Sequence, residues 1–506
     1  MSQLHHDKPD YNVPLSYHIK NKVSSYLSTE RGAVRKPFGA GIDVALVYPN
    51  SYYLGMSNLG FHYVYRTLNE RNGWYCERVF TDFQRPISLE NMRPLEDFDL
   101  IAFSVSYELD FVNILHVLSK ARIPCVKSER SDEGPLIIAG GIGVSMNWKA
   151  IERFVDICMI GDGEALLTDF AELYETCNGN KKKILKAAAT IPGMAIDKKE
   201  ESSYALGKTI HPCATSILAK RTEFPDRYLI EISRGCPFTC AFCLIGNSPL
   251  PYREHSLNEI KGVIERGKTW TNQFGFVASA VASHRRITAL CEYSDNARIN
   301  ISFSSLRAEY VDEQLLYSLA RSGQKTITFA PETGSQAMRF SLGKRTSDAQ
   351  FLEAVEKAVA SCMRNVKFYF MAGLPGETDD DLKSIVPLIQ EARRIAYLKR
   401  SKKPVAILVS LGIFVPKPFT PFHHTLPLPI KELRRRVRYV RSSIRSIPNV
   451  AISVSSAYEA LAQTILSNES EQATDLLLWS YEHNGNWRKA LKEHKRHLGK
   501  YSILIE

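Results

Sequence analysis

With 506 residues, 44% of them hydrophobic and 24% charged, the chain is too long for a single hydrophobic core and has the composition of an ordinary multi-domain globular protein. No stretch approaches the eighteen or so uncharged apolar residues of a membrane-crossing helix, and the opening MSQLHHDKPD lacks the apolar core of a secretory signal, which points to the cytoplasm. Ten scattered cysteines exclude a disulfide scaffold, and a net charge of +11 suits nucleic acid no better than an anionic cofactor or an acidic substrate.

Residues 1–40 carry no sustained periodicity and read as a leader. From Asp43 the texture changes. DVALVYP, LIAFSVS, PLIIAGG and VDICMIGDGE are short apolar runs separated by amphipathic stretches such as FHYVYRTLNE and FVNILHVLSKA. That alternation predicts parallel strands with crossover helices, a doubly wound Rossmann-like α/β domain over 41–190. Gly140 and Gly141 end one such strand, at the sheet edge where open α/β sheets bind ligands. A linker follows over 191–220. A second alternating series then runs through YLIEISRG, FGFVASAVAS, ARINISFSSLR, KTITFAPETG, NVKFYFMAGLPG and PVAILVSLGIFVP. The mean spacing of about 32 residues is that of a β/α repeat, and six units imply an open, partial (β/α)6 barrel over 221–425. Residues 426–506 read as a helical C-terminal extension packed on one end.

Directly after the first barrel strand, RGCPFTCAFCLIG places Cys236, Cys240 and Cys243 at the spacing C-x3-C-x2-C. Three thiolates on one tight loop can each bind one iron of a cubane and leave the fourth iron open to an external chelator. A structural zinc site would want a fourth protein ligand and a second Cys or His pair, which this region lacks. The other seven cysteines read as reduced and structural.

The C-x3-C-x2-C motif with Phe242 before its third cysteine resembles the signature of the radical S-adenosylmethionine (SAM) superfamily. That resemblance implies a [4Fe-4S] cluster on Cys236, Cys240 and Cys243 and a SAM molecule on its open iron. SFSSLR, TFAPETGS and FMAGLPGET stand where relatives build the SAM pocket. By that analogy Glu332 would bond the ribose hydroxyls, Ser305 and Arg307 the methionyl carboxylate, and the Gly373, Pro375, Gly376 turn would let the backbone approach the adenine. The first domain together with FVPKPFTPF resembles a narrower group, the cobalamin-binding-domain radical SAM proteins, in an uncharacterised branch related to the YgiQ-like proteins. This implies cobalamin against Gly140 and Gly141. One element departs from the pattern: where histidine-ligating cobalamin domains carry Asp-x-His-x-x-Gly, residues 50–55 read NSYYLG. Cobalamin binding without a protein histidine, or a domain that kept the fold alone, both remain open; His62, in a helix, reads as packed.

His284 and Lys417, at strand ends, are candidate catalytic contacts, and the helix RRRVRYVRSSIR reads as a solvated face rather than a nucleic-acid site. The expected reaction is reductive cleavage of SAM to a 5′-deoxyadenosyl radical, with electrons from a donor such as flavodoxin or ferredoxin, leading to cobalamin-dependent methylation of an unactivated carbon. The alternatives are an RNA-modifying, methylthiotransferase-like enzyme and a noncatalytic iron-sulfur or nucleic-acid-binding module.

Overall fold

The computed structural model describes residues 16–37, 39, 41–197, 203–207, 210–400 and 404–505. The first sheet contains β1 (Ile42–Val47), β2 (Trp74–Val79), β3 (Leu100–Ser104), β4 (Leu136–Gly140), β5 (Ile157–Met159) and β6 (Met194–Ala195), in the order β2-β1-β3-β4-β5-β6. All pairs are parallel except β5 with β6. Alternate residues face opposite layers, as the two-residue period of a strand requires. Val44, Leu46, Ala102 and Ile138 pack under the helices Leu59–Glu70 and Gly163–Thr176, while Ala45, Val47, Phe103 and Ala139 face the helix Phe111–Lys120.

That second layer has an unexpected member. The helices Ala457–Asn468, Glu471–Glu482 and Trp487–Glu493 share its core through Leu461, Ile465, Leu476 and Leu491. The C-terminal helices therefore complete the outer layer of the first domain; they do not simply cap an end of the barrel. The presumed leader is also partly domain. Residues 1–15, 38 and 40 lie outside the described residues, but the helix Tyr17–Leu27 buries Val23 and Tyr26, and Glu30 meets Arg78 at 2.7 Å with both side chains fully buried.

In the second domain β7 (Tyr228–Glu231) is followed by a short antiparallel pair, β8 (Ser233–Arg234) with β9 (Arg253–Glu254). Then come β10 (Gln273–Val277), β11 (Asn300–Phe303), β12 (Thr326–Glu332), β13 (Asn365–Ala372), β14 (Ala406–Ile413) and β15 (Val450–Val454). They form the sheets β11-β10-β7 and β12-β13-β14-β15, joined by a parallel bridge from Leu306 to Phe329. The partial barrel carries one more strand than its repeats predict: β15 lies within the stretch read as helical. Its five residues, VAISV, are too short to stand out beside the amphipathic helix Ile430–Arg445 that leads into it. Polar residues Thr326, Thr328, Lys367 and Ser410 alternate with Ile327, Phe329, Val366, Phe368, Val409 and Leu411, which are buried against the outer helices. Among the described residues no helix is long and apolar enough to cross a membrane.

Candidate functional site

The cysteine loop is shaped by backbone constraints on either side of it. Gly235, at φ +77°, turns the chain where an added Cβ would lie 2.8 Å from the Pro251 carbonyl oxygen. Gly246 lets the short helix Leu244–Asn247 pass under the loop, since a Cβ there would meet the Phe238 carbonyl oxygen at 2.0 Å. Asn247 then ties the loop closed, its amide donating to the carbonyls of Cys240 at 2.9 Å and Cys243 at 2.8 Å. Burial first, and the neighbouring thiols after it, push the Cys236 and Cys243 thiols above their ordinary range. Held on one loop, each of the three could bind, as a thiolate, one iron of a cubane.

Two charged side chains converge on the loop. Arg307 Nη1 lies 3.8 Å from Cys240 Sγ, with its guanidinium 3.8 Å above the Phe238 ring. Glu309 fixes it at 2.6 Å and is itself held by Thr346 at 2.7 Å. Glu332 ends β12 at φ +70°, a conformation that costs a side-chain-bearing residue about 1 kcal/mol or more and persists at functional sites where the surroundings enforce it. The β12–β13 register shifts at the same place. Lys344 Nζ holds one Glu332 oxygen at 2.7 Å, and the Glu332 charge reaches Cys243. Ser305 sits half-buried on the loop before Arg307.

The turn 373–376 closes the same end of the barrel. The Gly373 amide, at φ +85°, donates to buried Glu377 at 2.7 Å, and Glu377 pairs with Arg436 at 2.8 Å. At Gly376, φ +78°, a Cβ would point into open space. Leu374, beside Pro375, joins Phe242, Met338, Leu342 and Phe414 in a small apolar cluster. The structure thus gathers Cys236, Cys240, Cys243, Phe242, Arg307, Glu332 and the glycine turn at one rim. Glu309, Lys344, Thr346, Glu377 and Arg436 complete the arrangement, and no local motif marks them in the sequence.

His284 and Lys417 are committed elsewhere. His284 is buried, with Nε2 3.1 Å from the His255 carbonyl oxygen and Nδ1 accepting from the Arg286 amide at 3.1 Å. Lys417 pairs with buried Glu108 and lies 3.2 Å from Ser467, so it joins the first domain to the C-terminal helices.

A cavity of about 590 Å³ separates the C-terminal ends of β1, β3, β4 and β5 from the start of the barrel. Gly140, Gly141, Gly161 and Gly163 line one side, and Arg234, Gly235 and Val277 line the other. Gly141 is at φ +107° and Gly161 at φ +122°, where a Cβ would lie 2.4 Å from the Val105 oxygen and 2.1 Å from the Ala205 oxygen. At the cavity's edge Arg234 binds Asp162 at 3.1 Å and Glu164 at 2.7 Å, and Arg253 binds Asp162 at 2.8 Å. Burial opposes the Asp162 charge, but the hydrogen bonds and charges of the two arginines hold its carboxyl below the usual range. His62 offers the cavity nothing. Its Nε2 is 3.0 Å from the Met56 carbonyl oxygen and its Nδ1 accepts from the Ser216 amide at 3.1 Å, while burial lowers its pKa to about 4.

Comparison with known proteins agrees with this architecture. Residues 60–196 match the family described as radical SAM proteins, N-terminal, and residues 230–389 match the radical SAM superfamily. An uncharacterized protein of Methanocaldococcus jannaschii is 25% identical over 452 residues, covering 87% of this chain and 91% of the relative. The ribosomal protein uS12 methylthiotransferase RimO of Thermodesulfovibrio yellowstonii is 22% identical over 48% of this chain and 58% of its own length. In fold, the radical SAM methyltransferase TsrM of Kitasatospora setae, solved with cobalamin and a [4Fe-4S] cluster, superposes with a TM-score of 0.56 at 13% identity, over 90% of this chain and 100% of that one. OxsB, a cobalamin-dependent SAM radical enzyme, gives 0.51 at 16% identity, over 92% of this chain and 74% of that one. Two models of one superfamily match consecutive parts of the sequence, and the second spans the cysteine loop and the barrel rim; the chain belongs to the radical SAM superfamily.

Proposed function

We propose that this chain is a cobalamin-dependent radical SAM methyltransferase acting on an unactivated carbon. The observation that carries the reading is the cavity itself, which opens on one side to the glycine-lined strand ends of a Rossmann-like sheet and on the other to Arg234 and Gly235, beside Cys236. The lining fits cobalamin as a large flat group: it is mostly apolar, and no imidazole is aimed at it from residues 50–55 or from His62. Gly140, Gly141 and Gly163 would hold the corrinoid, and Cys236, Cys240 and Cys243 the cluster. When bound, the cofactors would supply a 5′-deoxyadenosyl radical and a transferable methyl group.

The chain's own residues bind, orient and exclude water. Arg307 places a fixed positive charge beside the thiolates, where with Ser305 it suits a methionyl carboxylate. Lys344 holds one oxygen of Glu332, and the carboxylate so fixed would suit a ribose diol. The Phe242 and Leu374 cluster shields the rim from water. Lower in the barrel, Lys367 has no acidic partner among the described residues and lies 4.7 Å over the Tyr369 ring, so it suits an anionic or acceptor-rich substrate group. Electrons would come from an external donor such as flavodoxin or ferredoxin.

A methylthiotransferase reading is favoured by the sequence relatives of that activity. A second iron-sulfur cluster, if that reading required one, would need ligands in the first domain. Here Cys76 is on β2 and Cys158 on β5, four strand spacings or about 19 Å apart, so they cannot serve one cluster.

The test is anaerobic reconstitution with iron, sulfide and cobalamin, followed by reduction with dithionite in the presence of SAM. Retention of one cobalamin per chain, with formation of both 5′-deoxyadenosine and S-adenosylhomocysteine, is expected. Deoxyadenosine without retained cobalamin would refute the methyltransferase reading and leave a superfamily enzyme whose first domain serves as a scaffold.

A further inference from the structure

The helix Glu471–Glu482 and the helix Trp487–Glu493 end side by side. His483 follows the first, Glu493 closes the second and His494 follows it. Among the described residues these form the one group of three histidine, cysteine or carboxylate side chains whose ligand atoms all lie within 4.8 Å of one another. We propose that His483, Glu493 and His494 bind a divalent transition-metal ion of the zinc class, which clips the C-terminal helices together.

Four observations support this assignment. The donors are two imidazoles and a carboxylate, a set that zinc accepts with a fourth position left to water. His483 Nε2 approaches Glu493 Oε2 to 3.0 Å yet is buried without a hydrogen bond of acceptable geometry, as though both atoms addressed a shared centre. The His494 ring is held by stacking on Trp479, with centroids 4.3 Å apart and planes 3° from parallel, so its orientation is already set. Two helix C-termini converge here, and their carbonyl ends favour a cation. Ligands around tetrahedral zinc are about 3.4 Å apart, so donor atoms that lie within 4.8 Å of one another close on a common ion with at most about 1.4 Å of side-chain movement per pair. Glu493 also lies 3.8 Å from Lys489, a contact loose enough to yield.

The consequence would be mechanical. These helices form the outer layer of the first domain, where Tyr481 donates to Ser119 at 2.7 Å and lies against His116. A metal that ties them would stabilise the wall of the cofactor domain without touching its chemistry.

The experiment uses cluster-loaded full-length protein, so that Cys236, Cys240 and Cys243 are occupied by iron, and adds zinc chloride under anaerobic conditions. Equilibrium dialysis with elemental analysis should find one zinc per chain beyond the iron, with micromolar or tighter affinity. His494→Ala and His483→Ala should each weaken it at least tenfold at unchanged iron content, and Glu493→Gln, an exposed change that spares the fold, should weaken it less. Zinc should raise the melting midpoint of the wild type and leave that of the double histidine variant unmoved. Equal zinc binding by wild type and double variant, or no binding at 100 micromolar zinc, would overturn the assignment and leave an ordinary His483–Glu493 ion pair.

Discussion

At the scale of single residues, Glu332 is the position where conformation and chemistry coincide. Its positive φ, the register shift and Lys344 together hold a carboxylate beside Cys243 in a geometry that a relaxed strand end would not adopt. Glu332→Ala should weaken SAM binding by roughly ten- to hundredfold, the loss of about 1.5 to 3 kcal/mol that a charged hydrogen bond contributes, while iron content stays intact. Equilibrium binding of SAM to the loaded variant reads this directly, and unchanged affinity would remove Glu332 from the pocket. Asp110 gives a test of a different kind. Burial raises its carboxyl from 3.8 to about 6, against a single amide donor, Asn50 at 2.8 Å. Below about pH 4 both folded and unfolded forms are protonated. As pH rises to about 6 the unfolded chain ionises first, so stability falls, by on the order of 3 kcal/mol, and then levels. Asp110→Asn keeps the acceptor for Asn50 and should remove that slope. Denaturation midpoints of the two proteins at pH 4.5 and 7.5 would show it, and parallel slopes would contradict the burial argument.

At the scale of elements, the interface between sheet and barrel rests on the loop that follows β5. Asp162 is almost fully buried, and Arg234, two residues before Cys236, reaches across to it and to Glu164. Burial alone would lower the Arg234 pKa, but the hydrogen bonds and charges of Glu231 and Glu164 raise it above its ordinary value. Arg234→Met should therefore cost about 3 kcal/mol, because it leaves carboxylates buried with Arg253 as the remaining cation. Faster loss of the cluster's visible absorbance on warming is the expected sign; Arg234→Lys should recover part of it. Much of this element was legible beforehand. The run IGDGE marks a strand end with small residues, and the C-x3-C-x2-C spacing marks a metal loop, since both are local signatures. The arginine bridge between them was not, because 72 residues separate Arg234 from Asp162 and no periodicity connects them.

At the scale of the whole molecule, the first domain depends on residues at the other end of the chain. Leu461, Ile465, Leu476 and Leu491 share a core with Ile114, Leu115 and Val144, and Lys417 meets Glu108 at the same seam. A chain truncated after Ser455 keeps every barrel strand and every proposed cofactor residue, yet should expose that apolar face and aggregate. A soluble, cluster-binding truncation would show that the layer is dispensable. If cobalamin binds, electron paramagnetic resonance of its cob(II) form should show no hyperfine coupling to a protein imidazole nitrogen, and His62→Gln should leave the spectrum unchanged. By itself the sequence determined the two α/β series, the cysteine triad and the rim segments, because strand period, glycine turns and ligand spacing are written in neighbouring residues. Only the tertiary structure decided that the C-terminal helices belong to the first domain, that β15 extends the barrel sheet, and that His284 and Lys417 are bound into the fold. Those outcomes depend on which apolar faces and buried charges meet after the chain has turned back hundreds of residues, and such pairings leave no pattern in the residues beside them.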